Sequence, residues 1–459
     1  KQLQKNDVRL TMGGEPTFVS IDDMESAQWN TDADGPEKRE RAADLSKRLL
    51  NTIGVGGFLH HAQGKWYPGE PLPRWSTELC WRKDERKIWF NTNLLAAIGG
   101  SKKIEKGTDK LFLETLTNYL AITKNHITPT YEDAFYFLWE QGKLPIDINP
   151  GEDKDSSLAD KKLKEILEGG TSNPVGYVLP LNKTADNWFS SEWKFRRNYI
   201  YLTPGNSPLG LRLPLNSLES KPEHEIFPIY EPDLFEKKKR LPSFRRMVAK
   251  RHETVLQKGV NTNLPNYFVR TALCAEVREE KLHLFLPPLD DAASYLDLLA
   301  SIEATAKELD IPVVLEGYGP PKDNRLESMK ITPDPGVVEV NVHPSNNWQE
   351  LMDTTFTIYN EAKKARLGTE KFMLDGKHTG TGGGNHVTLG GVTPKDSPLL
   401  RKPDLLRSLL TFWQHHPGLS YLFSGAFIGP TSQAPRVDEA RQDNLYELEI
   451  AFSQIPKDG

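Results

Sequence analysis

The run Thr379–Gly391, T-G-T-G-G-G-N-H-V-T-L-G-G, constrains this chain more than any other stretch. Gly380, Gly382, Gly383 and Gly384 can take positive φ and leave peptide N–H groups uncovered, so a polyanion can approach the main chain. Asn385 and His386 then open an alternating stretch, Val387-Thr388-Leu389, which reads as a strand. The run is therefore either the floor of an anion site or a glycine-rich surface loop carrying a structural His. It is not a P-loop, because no Gly-Lys-Ser/Thr follows its glycines.

A second polar segment lies upstream. In an extended strand the side-chain period is two, so Glu339, Asn341 and His343 share one face while Val338, Val340 and Val342 share the other. Glu, Asn and His can together bind a divalent cation; a half-exposed edge strand would show the same pattern for solubility alone. A third strand, Thr271–Val277, alternates Cys274 with Glu276. Glu276 supplies another acid, and reads equally well as a solvated residue beside the hairpin turn Arg278-Glu279-Glu280-Lys281.

The 459 residues, 37% of them hydrophobic, suffice for a sizeable core and two or three domains. A net charge of −5 without a basic block argues against nucleic acid as a partner. Two cysteines, Cys80 and Cys274, make neither a disulfide framework nor a zinc site, and neither has the context that activates a nucleophile. With no apolar run of membrane-spanning length and no signal peptide, a cytoplasmic protein without a membrane partner is expected. The chain opens at Lys1 without a Met and ends soon after an amphipathic stretch, Leu445–Phe452, which reads as an internal fragment of something longer.

The local patterns give an α+β grammar. A helix opens at Gly35-Pro36 and closes near Gly54, with Ala42, Leu45, Leu49 and Ile53 on one side. Short tryptophan-rich strands follow from Gly64 to Asn91; Lys65-Trp66-Tyr67 and Arg74-Trp75 could stack a ring, and Glu15 could be a catalytic acid, although core packing explains all of them as well. A helical pattern is expected from Gly107 to Gln141. Further on come a hairpin (Thr271–Val277 and Lys281–Leu286), a helix from Ala293 to Leu309, strands at Val313–Gly317 and Val337–His343, and a helix from Trp348 to Arg366. The polar connection at residues 226–268, with Glu236-Lys237-Lys238-Lys239-Arg240, divides a 1–225 block from a 269–459 block.

Several long motifs resemble the bacterial putative amidoligase family: V-R-L-T-M-G-G-E-P-T-F-V-S-I-D-D-M, Q-G-K-W-Y-P-G-E-P-L-P-R-W, R-T-A-L-C-A-E-V-R, I-T-P-D-P-G-V-V-E-V-N-V-H-P, the segment Arg366–Gly391 and S-Y-L-F-S-G-A-F-I-G-P-T-S-Q-A-P-R-V-D-E-A-R. The resemblance covers nearly the whole chain and is weakest from about Asn91 to Glu225. It implies a glutamine-synthetase-like region in residues 269–459, with mixed or antiparallel sheets and helices on one face. It also implies an upstream transglutaminase-like domain in the parent polypeptide. The activity implied is ATP- and Mg-dependent formation of an amide or isopeptide bond through an acyl phosphate, joining a peptide or small-molecule carboxylate to an amine.

On that resemblance Glu276, Glu339, Asn341 and His386 are metal ligands, with Glu339 and His386 taking part in catalysis. Gly380, Gly382, Gly383, Gly384 and Asn385 cradle the ATP phosphates. All are expected to line one cleft. Asn341 stands where such a strand commonly carries a second acid, which weakens one metal position. Two other readings use the same residues: a non-catalytic peptide-binding module for a transglutaminase-like partner, and a metal-dependent amide or isopeptide hydrolase that needs no ATP.

Overall fold

The computed structural model describes residues 11–64, 73–97, 102–133, 173–184, 187–195, 199–227, 239–260, 267–372, 375–376, 378–379, 381, 387–391, 397–416, 449–450 and 452–454. The strands, in chain order, begin with β1 (Thr11–Gly14), β2 (Thr17–Ser20), β3 (Phe58–Gln63), β4 (Trp75–Arg82), β5 (Thr128–Glu132), β6 (Gly176–Pro180), β7 (Asn182–Lys183), β8 (Trp188–Phe189) and β9 (Ile200–Leu202). They continue with β10 (Ala272–Arg278), β11 (Lys281–Leu286), β12 (Val313–Gly317), β13 (Leu326–Asp334), β14 (Val337–Asn341), β15 (Leu367–Gly368), β16 (Lys371–Phe372), β17 (His378–Thr379) and β18 (Val387–Gly390). The longer helices are α1 (Pro36–Thr52), α2 (Thr108–Leu120), α3 (Phe244–Lys258), α4 (Ala292–Leu309) and α5 (Trp348–Lys364); α6 (Pro398–Arg401) and α7 (Pro403–His415) follow.

Local chemistry explains the helix ends. Proline opens α1 and Glu37 sits in its first turn, where a negative charge favours the helix dipole. The Asp291 side chain accepts from Ser294 N–H to cap α4, and Asn347 accepts from Glu350 N–H to cap α5, both at 2.9 Å. Helix α2 stops at Leu120 because Ala121 takes left-handed φ of 58°. The helix expected to run to Gln141 therefore ends early, and Thr128-Pro129-Thr130-Tyr131, with β-branched residues and a proline, forms β5 instead. Residues 134–141 lie outside the described residues.

One sheet of twelve strands organises the molecule, in the order β15-β2-β14-β13-β4-β3-β12-β11-β10-β6-β5-β9. Pairing is mixed: β11–β12, β12–β3 and β5–β9 are parallel, the rest antiparallel. The α+β class is as the sequence implies. Strands β12 and β13, which follow residues 226–268, pair with β3 and β4, which precede them.

The helices, expected on one face, cover opposite faces of the two halves. On one face, here called the front, α1 and α5 pack Ala42, Leu45, Leu49, Ile358 and Ala362 against Leu59, Leu79, Met329, Ile331, Val338 and Val340. On the reverse face, α2, α3 and α4 pack Phe112, Leu116, Phe244, Leu296 and Leu299 against Leu273, Ala275, Leu282, Leu284 and Leu315. The front of β6 and β10 is closed by a third cluster, in which Trp193, Leu209 and Leu218 cover Val178, Cys274 and Phe285. Each half of the sheet thus leaves polar residues on the face opposite its helices.

Candidate functional site

On the reverse face, register alone builds a polar row. His60 pairs with Glu78, Glu78 with Lys330 and Lys330 with Asn341, so these four side chains project side by side from β3, β4, β13 and β14. The adjoining row carries Thr332, Glu339 and Thr17, again direct cross-strand neighbours. Lys330 Nζ lies 3.5 Å from Glu78 Oε2, and Asn341 Nδ2 donates to Thr332 Oγ1 at 3.3 Å. His60 is fully buried, and loss of solvation pushes its pKa down to about 3, so the ring is neutral.

The glycine run meets this face at its flanks. Thr381 Oγ1 and Thr17 Oγ1 are 2.6 Å apart, and Thr17 is the register partner of Glu339. On the other side of the run, β18 pairs with β1 through Val387 and Gly14, and Val342 N–H donates to the Gly14 carbonyl. Gly380, Gly382, Gly383, Gly384, Asn385 and His386 themselves lie outside the described residues, as do Lys65, Trp66 and Tyr67. Glu15 stands in the short link between β1 and β2.

Three of the four proposed metal ligands lie among the described residues. Glu339 and Asn341 share the reverse face beside Thr381, but Glu276 projects from the front of β10, six strand spacings or about 29 Å away along the sheet. His343, expected beside Glu339, lies past the end of β14 and packs edge-on against Trp81 at 5.1 Å. Alternation from Asn341 fails there because the strand has ended.

Glu276 belongs instead to a front-face cluster. Arg278 Nη1 donates to Glu276 Oε1 at 2.5 Å, and Arg278 Nη2 donates to Glu316 Oε2 at 2.7 Å and to His283 Nδ1 at 2.9 Å. Leu209 N–H donates to the same Glu276 oxygen at 3.0 Å. Burial raises the Glu276 pKa despite Arg278. Burial also works against the charge on Glu316, but His283 and Arg278 outweigh it and hold that carboxyl below its usual range. His61, the register partner of Glu316, is driven by burial to about 4 and is neutral at pH 7.

Arg278 Nη2 at 2.9 Å needs an acceptor at His283 Nδ1 and Glu316 Oε2 at 3.2 Å needs a donor there, so the two contacts favour opposite tautomers of the ring. His283 Nε2 and Glu316 Oε1 are buried and have no partner among the described residues.

A groove of about 1600 Å³ joins the two faces. Its front part runs between α1, with Arg39, Ala43 and Lys47, and the turn Asn206–Leu211; His61, Thr77, His283 and Glu316 form the floor. Glu78, Ser328 and Lys330 of the reverse face line its other end. The groove passes the seam where β12 and β3 share a single pair, Glu316 and His61. At that seam Gly319 approaches the reverse row so closely that a Cβ would sit 2.9 Å from Glu78 Oε2.

His60, His61, Glu78, His283, Glu316 and Lys330 had not been singled out from sequence. Their signal was alternation: Ser76, Glu78 and Cys80 in W-S-T-E-L-C-W-R, His283 in K-L-H-L-F-L, and the paired His60-His61 in F-L-H-H-A-Q. Both cysteines are buried, and burial raises their thiols well above the usual value, which agrees with a packing role.

Among the described residues no group of three His, Cys, Asp or Glu side chains forms a preassembled metal cage, and no helix is long and apolar enough to cross a membrane. No curated protein and no solved structure shows significant similarity to the chain. The expectation of an internal fragment draws no support from the family comparison, whose match runs over residues 1–459. That match is to the family described as "Putative amidoligase enzyme (DUF2126)", and the chain belongs to this family.

Proposed function

We propose that the reverse face of β2, β14, β13 and β4 is the ligation site of an amidoligase, which joins a carboxylate to an amine at the expense of ATP. The observation that carries this reading is the Thr17–Thr381 contact, which brings the flank of the glycine run onto the face that holds Glu339. Glycines carry no side chain to cover their main-chain N–H groups, and those of Gly380–Gly384 would receive phosphate oxygens.

Magnesium requires only one or two carboxylates when phosphate and water complete its shell. Glu339, with Glu78 and the Asn341 carbonyl in reach of the same face, meets that looser demand, although the described residues make no closed cage. When bound, Mg-ATP supplies the phosphoryl group that turns a carboxylate oxygen into a leaving group through an acyl phosphate.

The chain's own residues do the rest. Lys330 is half exposed beside Glu78 and offers an ammonium to the incoming carboxylate or phosphate. Glu78 can accept the proton that the attacking amine must lose. The Tyr318–Pro321 loop passes close to this row at Gly319 and would limit water there. The upstream transglutaminase-like partner domain remains part of the proposal on the family resemblance alone.

Isothermal titration tests the reading. Mg-ATP should bind with measurable heat, and Glu339→Gln should weaken it at least tenfold. Absence of binding to the chain, or release of free acid from an amide without ATP, would replace the ligase by a binding module or a hydrolase respectively.

A further inference from the structure

The front part of the groove is not used by the proposed chemistry, yet it has the features of a binding site. Its floor holds two buried polar atoms, His283 Nε2 and the acceptor Glu316 Oε1, each without a partner among the described residues. His283 is 9% exposed and Glu316 5%, so leaving both unpaired costs about 1–3 kcal/mol each unless something engages them. Glu316 Oε1 accepts, and His283 Nε2 donates or accepts according to its tautomer, so an extended peptide, with C=O and N–H groups along its length, can satisfy the pair in either case.

The size and charge of the groove narrow the choice. About 1600 Å³ exceeds the roughly 300–1,000 Å³ typical of small-molecule pockets, and suits an extended chain segment. Its walls combine apolar surface from Phe285, Pro208 and Leu211 with cations and with acids, of which Asp323 pairs with Arg325, Glu327 with Lys83, and Glu279 acts on Arg278. Among the lining cations, Arg39 pairs with Asp34, Arg278 with Glu276 and Glu316, and Lys83 with Glu327. Lys47, Lys281 and Lys322 line the same groove and take part in no ion pair among the described residues.

We infer that the front groove binds an extended acidic peptide segment, its backbone amide held by His283 and Glu316 and its carboxylates met by Lys47, Lys281 and Lys322. This rests on the ligase reading only in making that segment part of the acid substrate; the binding itself does not. Because the groove continues past the seam at Glu316 and His61 to Glu78 and Lys330, a segment seated in front can deliver a side-chain carboxylate to the reverse face.

The test is fluorescence anisotropy of fluorescein-labelled octaglutamate with the full chain, in the absence of ATP and magnesium. Binding is expected, with at least tenfold weakening in the double variant Lys281→Glu/Lys322→Glu, whose positions are both exposed. Glu316→Gln should weaken binding severalfold, and Lys110→Glu, an exposed change on α2 away from the groove, should leave it unchanged. Equal loss in the Lys110 variant would show diffuse charge attraction, and would overturn the proposal. So would undiminished binding in the double variant, or competition by free glutamate at the peptide's own concentration. Failure here with intact Mg-ATP heats would remove the peptide groove and leave the ligation site standing; the converse would do the opposite.

Discussion

Glu276 and Glu339 stand on opposite faces of the same sheet, separated by β11, β12, β3, β4 and β13. Both were candidate ligands of one metal, and the geometry gives them different work. Glu339 neighbours Thr17 and the flank of the glycine run, whereas Glu276 is held by Arg278 and by the Leu209 N–H.

The separation predicts different phenotypes. Glu339→Gln should abolish most of the Mg-ATP heat with little change in the urea midpoint. Glu276→Gln should retain nucleotide affinity within about twofold but lose about 1–3 kcal/mol of stability, since it weakens a charge-assisted pair inside a buried cluster. Paired titration calorimetry and urea unfolding read both effects, and a reversed pattern would return Glu276 to the metal site.

Gly319→Ala probes the close approach over the reverse row. The added Cβ would stand 2.9 Å from Glu78 Oε2, and that carboxylate, at the end of a flexible side chain, can swing aside. Stability should change by less than about 1 kcal/mol, while ADP release dependent on acid and amine should fall more than tenfold. Preserved turnover would show that Glu78 is not the base.

Beside the fully buried His60, acid should weaken the fold through His61. Burial depresses its pKa to about 4, against a background of Glu316 raising it and of His283, Lys281 and Arg278 lowering it further. A depressed histidine contributes stability that is fully present above the unfolded value, about 6.5, and is lost as pH falls toward 4. The urea midpoint should therefore decline between pH 6.5 and 4.5, and His61→Asn should flatten that decline. An unchanged slope in the variant would place the titration elsewhere.

Lys38 supplies a structural control. It is buried, and its Nζ donates to the carbonyls of Asp32, Ala33 and Asp334 at 2.9, 3.1 and 2.9 Å, tying the start of α1 to the end of β13. Lys38→Met strands three carbonyls and should cost about 3 kcal/mol, measured by urea unfolding, without altering nucleotide heats once folded.

Much of the secondary structure was written locally. Gly35-Pro36, the Asp291 and Asn347 caps and the alternation of Val338, Glu339, Val340 and Asn341 fix α1, α4, α5 and β14 because caps and periodicity act over a few residues. The family was legible too, since its long motifs are continuous in sequence. What sequence could not decide was which polar strands would be neighbours. Alternation says that Glu276 and Glu339 each face away from their own apolar partners, but it carries no information about which side of the sheet that is or how many strands intervene. Strand order settled it, by placing β3 and β4 between the two halves and sending α1 and α5 to one face and α2, α3 and α4 to the other. The row His60, Glu78, Lys330, Asn341 exists only through that long-range pairing, because its members come from four strands whose proximity no local rule encodes.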